Sequence, residues 1–241
     1  MAKKQKNYTK AEYRKLFKLK KGGIVQWLES ITDNVVDLNP SDIFKQYKPL
    51  DKGNKKLAPN ILSFSLPSIS TCGMYCDGCY DIRAMRYESA RKKRYVNYSM
   101  AVHNPEKLKA LIVKQIKNSR SVEFVRIHVG GDFYSMAYVK LWQEIAKEVA
   151  IIKPDVKLYT YTKSMFTNML KESNINVVKS QYEEGYNYGD MDYVETLRKK
   201  HKAIICPVTA INARGGKVPD QYCGSACTAC MSKENVLFVQ H

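Results

Sequence analysis

Cys72, Cys76 and Cys79 form a C-x3-C-x2-C triplet within one short stretch. Three thiolates at that spacing can ligate three irons of a [4Fe–4S] cube and leave the fourth iron open. An open iron can bind a small molecule and act on it, whereas a fully ligated cluster passes electrons or holds structure. The same triplet also suits a structural zinc completed by a distant Cys or His, so both metals stand at this point. A second group, Cys206, Cys223, Cys227 and Cys230, repeats the spacing at its end and supplies enough thiolates to close a site alone. It reads as an auxiliary [4Fe–4S] cluster or as a zinc held by four thiolates. The spacing favours iron–sulfur, because zinc knuckles usually use C-x2-C pairs. Seven cysteines in two groups argue for metal ligation in a reducing compartment and against a disulfide framework.

The elements that must position these thiols alternate between strand and helix from residue 60 onward. Strands are expected over 61–66, 123–129, 156–162, 175–178 and 203–206, from short β-branched and aromatic runs. Asn104-Pro105-Glu106 opens a helix as cap, first-turn proline and acid, with Leu108, Leu111, Ile112 and Ile116 on one face. A second helix starts at Ser135, with Tyr138, Leu141, Trp142, Ile145 and Val149 at helical spacing. Such alternation implies a parallel sheet, and the units are too few for an eight-fold barrel, so an open or partial barrel is expected. Ligands in these folds sit at the C-terminal ends of strands. The first strand leads into the cysteine triplet, the second into Gly130-Gly131-Asp132, the third into Thr162-Lys163-Ser164, and the last ends at Cys206. All four are expected on one rim. Glycines there allow close backbone approach, and an acid can receive an ammonium group.

Strand alternation places Phe124, Arg126 and His128 on one face, and Lys157, Tyr159, Tyr161 and Lys163 on one face of the next strand. A cation and an imidazole on that side point to a cavity, against the plainer reading of His128 as a hydrogen-bonded core residue. The run Tyr182 to Asp190 reads as a mobile loop, with a lid as its candidate role.

The 241-residue chain carries a net charge of +17, of which residues 1–21 contribute +8 and the rest +9. That excess favours polyanionic partners through counterion release, against a plain solubilising lysine bias. The stretch Arg83 to Tyr98 interleaves Arg86, Arg91, Lys92, Lys93 and Arg94 with Tyr87 and Tyr95, which suits a phosphate backbone with stacked bases; a solvated helix face with core tyrosines fits as well. Residues 1–59 read as a basic arm with a helical lead-in, including a narrow amphipathic stretch over 11–20, a helix over 24–31 and a polar linker over 51–59. Residues 60–205 read as the β/α core, and 206–241 as a four-cysteine metal-binding segment. No apolar run approaches the roughly 20 residues of a membrane span, and Met-Ala-Lys-Lys-Gln-Lys opens no secretory signal, so a cytoplasmic location is expected.

The triplet followed by Gly-Gly-acid resembles the radical S-adenosylmethionine superfamily. That resemblance implies a [4Fe–4S] cluster on Cys72, Cys76 and Cys79, with S-adenosylmethionine on the open iron and its amino group at Gly130, Gly131 and Asp132. Ser164 becomes a ribose or carboxylate contact, and an external electron donor is needed. Two residues depart from the pattern: Gly78 stands where an aromatic is usual, and Asp132 is one methylene shorter than the usual Glu. More closely, Phe64-Ser-Leu-Pro, Cys79-Tyr80, Arg126-Ile-His, Gly131-Asp-Phe, Tyr161-Thr-Lys-Ser and the terminal cysteines are similar to the phage gene product 88 family over about residues 60–241. That similarity carries no assigned reaction and implies a bacterial host cytoplasm. The expected function is thus a radical enzyme acting on a nucleotide or nucleic-acid-related substrate. The alternative is a non-catalytic, metal-stabilised phage protein that binds nucleic acid, with zinc or iron–sulfur as the metal.

Overall fold

The structure, a computed structural model, describes residues 47–68, 71–72, 81–85, 87–170, 173–183 and 185–240. The expected arm and helices within 1–46 lie outside these residues, as do Cys76, Cys79, Tyr80 and Arg86.

In chain order the elements are β1 (Asp51–Lys52), β2 (Ile61–Ser63), α1 (Asp81–Met85), α2 (Glu88–His103), α3 (Pro105–Asn118), β3 (Phe124–Ile127), α4 (Met136–Ile152), β4 (Lys157–Thr162), α5 (Thr167–Leu170) and β5 (Ile175–Lys179). There follow β6 (Gln181–Tyr182), β7 (Gly185–Tyr186), β8 (Tyr188–Gly189), α6 (Met191–His201), β9 (Ile204–Ile205), α7 (Pro207–Ala213), α8 (Ala229–Ser232) and β10 (Val236–Val239).

The main sheet runs β1-β2-β3-β4-β5, parallel from β2 onward, with β1 antiparallel at the edge. The α/β class and the parallel-rich sheet are as expected. No barrel closes among the described residues: the sheet stays open, with β1 and β5 at its two edges. The stretch read as a polar linker supplies β1 and a bridge from Leu57 to Cys223. A strand was readable at 203–206, but β9 belongs to a second sheet, β8-β10-β9, where β10 separates it from β8. Cys206 therefore does not share the rim of the main sheet, and the expectation of four sites on one rim fails for it. Tyr182 to Tyr188 is also no plain loop: β6 and β7 form a hairpin, and Tyr188 pairs with Phe238.

Strand alternation sorts the two faces of the main sheet. Leu62, Phe64, Val125, Ile127, Leu158, Ile175 and Val177 point to one side, where α3 and α4 cover them with Leu108, Ile112, Ile116, Val139, Trp142, Ile145 and Val149. Burial of these aliphatic and aromatic side chains is the main stabilising term, at about 1.5–3 kcal/mol for each large one. Ser135 caps α4, its hydroxyl accepting from the Tyr138 amide at 3.2 Å. Asn104 precedes α3 without a side-chain cap bond, so proline at the first turn and Glu106 are the start signals that act there. The other side of the sheet carries Ile61, Phe124 and Tyr159, packed against Leu57, Met231, Cys223 and Cys230. The C-terminal cysteine segment thus covers the face that the helices leave open.

Candidate functional site

The end of β3 brings the glycine turn against the stretch that carries Cys72. Gly131 has φ of 80°, a left-handed conformation that L side chains rarely adopt. A Cβ there would also stand 2.6 Å from both Leu66 Cβ and Thr71 Oγ1. Glycine is therefore required by torsion and by space together. Thr71 is itself fixed, its hydroxyl donating to the Pro67 carbonyl at 2.8 Å, so Cys72 follows from an anchored residue. The Leu66 amide donates to the Gly130 carbonyl at 2.9 Å, tying the two strand ends. Of the triplet, Cys72 is half-buried, and Cys76 and Cys79 lie outside the described residues.

Asp132 faces its own chain. One carboxylate oxygen accepts from the Phe133 amide at 2.7 Å and from Thr162 Oγ1 at 2.6 Å; the other accepts from the Lys163 amide at 3.1 Å. It staples the end of β3 to the end of β4. Burial pushes its carboxyl pKa up, opposed by the hydrogen bonds from Thr162, Phe133 and Lys163 and by the Lys163 charge. Ser164 is engaged in the same way, donating to the Phe133 carbonyl at 2.9 Å and accepting from the Phe166 amide at 3.3 Å. Gly130, Gly131, Asp132 and Ser164 are brought together as expected, with the two polar side chains committed to the turn.

His128 corrects the alternation. Its φ of 62° ends the strand and swings the ring out of the Phe124–Arg126 face. The imidazole lands among Phe64, Phe133, Tyr138 and Trp142, with Nε2 2.9 Å from the Tyr138 hydroxyl. It is the hydrogen-bonded core histidine of the plainer reading, and burial holds its pKa down at about 3. Arg126 keeps to its expected face and lies 4.9 Å over the Tyr161 ring.

Cys223 and Cys230 of the C-terminal group pack with Tyr161 on the same cluster. Cys206, Cys223, Cys227 and Cys230 are free and half-buried. Burial pushes the Cys230 thiol up to about 12, with Tyr161 donating to the sulfur in opposition and Cys206, Cys223 and Cys227 raising it further. Cys223 is raised by burial and then by Cys206 and Cys227, with Arg126 and Lys56 opposing. The four sulfurs are thus close enough to feel one another, and this donor set is what thiophilic metals take. As they stand, no three His, Cys, Asp or Glu side chains among the described residues converge tightly enough to hold a metal ion. The covering segment is held by backbone bonds, from the Ala58 amide to the Cys223 carbonyl at 2.9 Å and from the Cys223 amide to the Lys56 carbonyl at 3.2 Å.

Of the basic stretch after the triplet, Arg94 is buried, Arg91 and Lys93 are half-buried and Lys92 is exposed. Arg94 pairs with buried Asp81 at 2.5 Å, Arg91 donates to the Met85 carbonyl at 3.1 Å, and Lys93 pairs with Asp51. Tyr95 is buried, Tyr98 packs edge-on against Tyr134, and only Tyr87 of this group stands well exposed, at 70%. Helix burial thus accounts for most of the aromatic interleaving. Sequence reasoning passed over Asp81, although its place two residues after Cys79 was a signal. A Cβ on Gly130 would fall 2.1 Å from Asp81 Oδ2 and 2.6 Å from Oδ1, so the carboxylate lies directly against the glycine turn.

No helix among the described residues is long and apolar enough to cross a membrane. No solved structure matches the chain. The Gene 88 protein of Mycobacterium phage L5 is 28% identical over 153 residues, 54% of this chain and 59% of that protein, so the match spans less than two thirds of the relative. The Gene product 88 family model matches residues 43–239, which takes in both cysteine groups, the glycine turn and every element of the two sheets, and the chain belongs to that family.

Proposed function

We propose that the protein is an iron–sulfur enzyme of the radical S-adenosylmethionine type, working in a phage's bacterial host on a nucleotide or nucleic-acid-related substrate. The observation that carries this reading is the packing of Gly131 onto Leu66 and Thr71, which sets the glycine turn of β3 beside the stretch leading into the triplet. Cys72, Cys76 and Cys79 would hold the catalytic [4Fe–4S] cluster, and Gly130 and Gly131 would admit the cofactor's methionine end to the strand ends. When bound and reduced by an external donor, such a cluster supplies an electron that cleaves S-adenosylmethionine to a 5′-deoxyadenosyl radical. Asp132 and Ser164 would keep the turn rigid, through the bonds to Thr162, Lys163 and Phe133. Cys206, Cys223, Cys227 and Cys230 would hold a second [4Fe–4S] cluster or a zinc, with Arg126 and Tyr161 offering positive charge and a donor beneath it.

The test is anaerobic reconstitution with iron and sulfide, followed by reduction and assay for 5′-deoxyadenosine. Release that disappears in Cys76→Ala supports the reading; an intact, reducible cluster that releases none overturns it. A second reading is favoured by the charge of +17: a metal-stabilised, non-catalytic nucleic-acid binder. It expects zinc in aerobic preparations and affinity for DNA or RNA that falls steeply with salt.

A further inference from the structure

We infer that Asp81, and not Asp132, is the acceptor for a ligand's ammonium group at the end of β3. The inference rests on the cofactor reading above, in which that group is the α-amine of S-adenosylmethionine. Two carboxylates border the glycine turn, and they are in opposite states. Asp132 accepts from Phe133, Thr162 and Lys163 with both oxygens, all within its own chain, so it already has a structural task. Asp81 is 3% exposed, and among the described residues only its Oδ2 is used, by Arg94 Nη1 at 2.5 Å. Its Oδ1 has no hydrogen-bond partner among the described residues.

A buried carboxylate oxygen left without a donor costs free energy, and structural arginine pairs commonly avoid this by binding both oxygens side by side. Here the guanidinium leaves one oxygen over. The carboxylate as a whole lies against Gly130, with the paired Oδ2 nearest. The Gly130 backbone lies outside the left-handed range where glycine alone is comfortable, so what requires glycine is the carboxylate, since a Cβ would strike Oδ2 at 2.1 Å and Oδ1 at 2.6 Å. The missing Cβ thus lets the Asp81 carboxylate reach the strand end, where parallel α/β sheets take their ligands. An amino-acid head, ammonium and carboxylate together, adds no net charge to the Asp81–Arg94 pair, so it can dock there without burying an uncompensated ion. Arg94 acts as a positioning residue, holding the Asp81 carboxylate by the other oxygen.

The test is a ligand-side comparison on the full, anaerobically reconstituted chain. S-adenosylhomocysteine, which cannot be cleaved, and its analogue lacking the α-amine are titrated by calorimetry into wild type, Asp81→Asn and Asp132→Asn. Removing the amine should weaken binding to wild type about 10–100-fold, the worth of one charge-assisted hydrogen bond. In Asp81→Asn that penalty should shrink to within about three-fold, while Asp132→Asn keeps it. If Asp81→Asn does not fold, the Asp81→Asn, Arg94→Gln pair leaves no buried charge alone and carries the same comparison. A full amine penalty in the Asp81 variants, or its loss in Asp132→Asn only, overturns the assignment and leaves the cofactor reading standing. Absence of any binding to wild type overturns the cofactor reading, and the assignment with it.

Discussion

At His128 a single backbone torsion decides what the side chain does. The left-handed φ of 62° carries the imidazole into a cage of Phe64, Phe133, Tyr138 and Trp142, none of which titrates near neutral pH. Nε2 meets the Tyr138 hydroxyl, and Nδ1 has no partner among the described residues, so protonation would place a charge in an apolar layer. The folded pKa is depressed to about 3. With the unfolded value near 6.5, the folded state takes up its proton later, so stability present above pH 6.5 is lost as pH falls towards 3. Between pH 7 and pH 5 this group should remove about 2 kcal/mol. His128→Asn, which tolerates the same torsion, should lack that increment in urea unfolding at the two pH values. Parallel losses in variant and wild type would show that the imidazole is not shielded in the folded chain.

At the scale of elements, the turn after β3 couples packing to chemistry. Gly131→Ala meets a left-handed torsion and contacts of 2.6 Å with Leu66 and Thr71, and should cost about 2–4 kcal/mol. Gly215 is a control: its φ is 73°, but a Cβ there would meet nothing within 4 Å, so Gly215→Ala should cost only about 1 kcal/mol. Urea unfolding separates the two, and equal losses would mean that torsion alone requires Gly131. Elements of this kind were largely legible in the sequence. The helices from Pro105 and Met136 and the strands at Phe124, Lys157 and Ile175 announce themselves by period and caps, because each buries one face locally. What was not legible is non-local. Nothing near Cys206 says that β9 pairs with β10, more than thirty residues on, instead of extending the main sheet. Alternation also cannot foresee a torsion such as that of His128, which breaks the period by one residue. That the Cys72 stretch lies beside the glycine turn was legible from the strand ends, but which acid is committed to the turn depended on hydrogen bonds that spacing does not encode.

Across the whole molecule, the C-terminal segment joins what would otherwise be two separate sheets. β10 completes the second sheet between β8 and β9, while Cys223, Cys230 and Met231 cover Ile61, Phe124 and Tyr159 on the first. Asn176 fastens the cover from β5, its side-chain amide donating to the Cys230 carbonyl at 2.9 Å. In the proposed metal-bound state, the four thiolates would tie Cys206, at the end of β9, to residues 223–230 on the main sheet. One metal would then hold the two sheets together. Its removal should therefore loosen the cover without unfolding the helix-packed side, because Leu108, Ile112, Trp142 and Ile145 lie on the opposite face. Hydrogen exchange reads this directly. On chelation, or in Cys227→Ser, the amides of Cys223, Gly224 and Met231 should exchange at least about tenfold faster, while those of β3 and α4 keep their protection. Unchanged exchange after loss of the metal would show that the cover is held by its backbone bonds to Lys56 and Ala58, with the thiols serving no structural role.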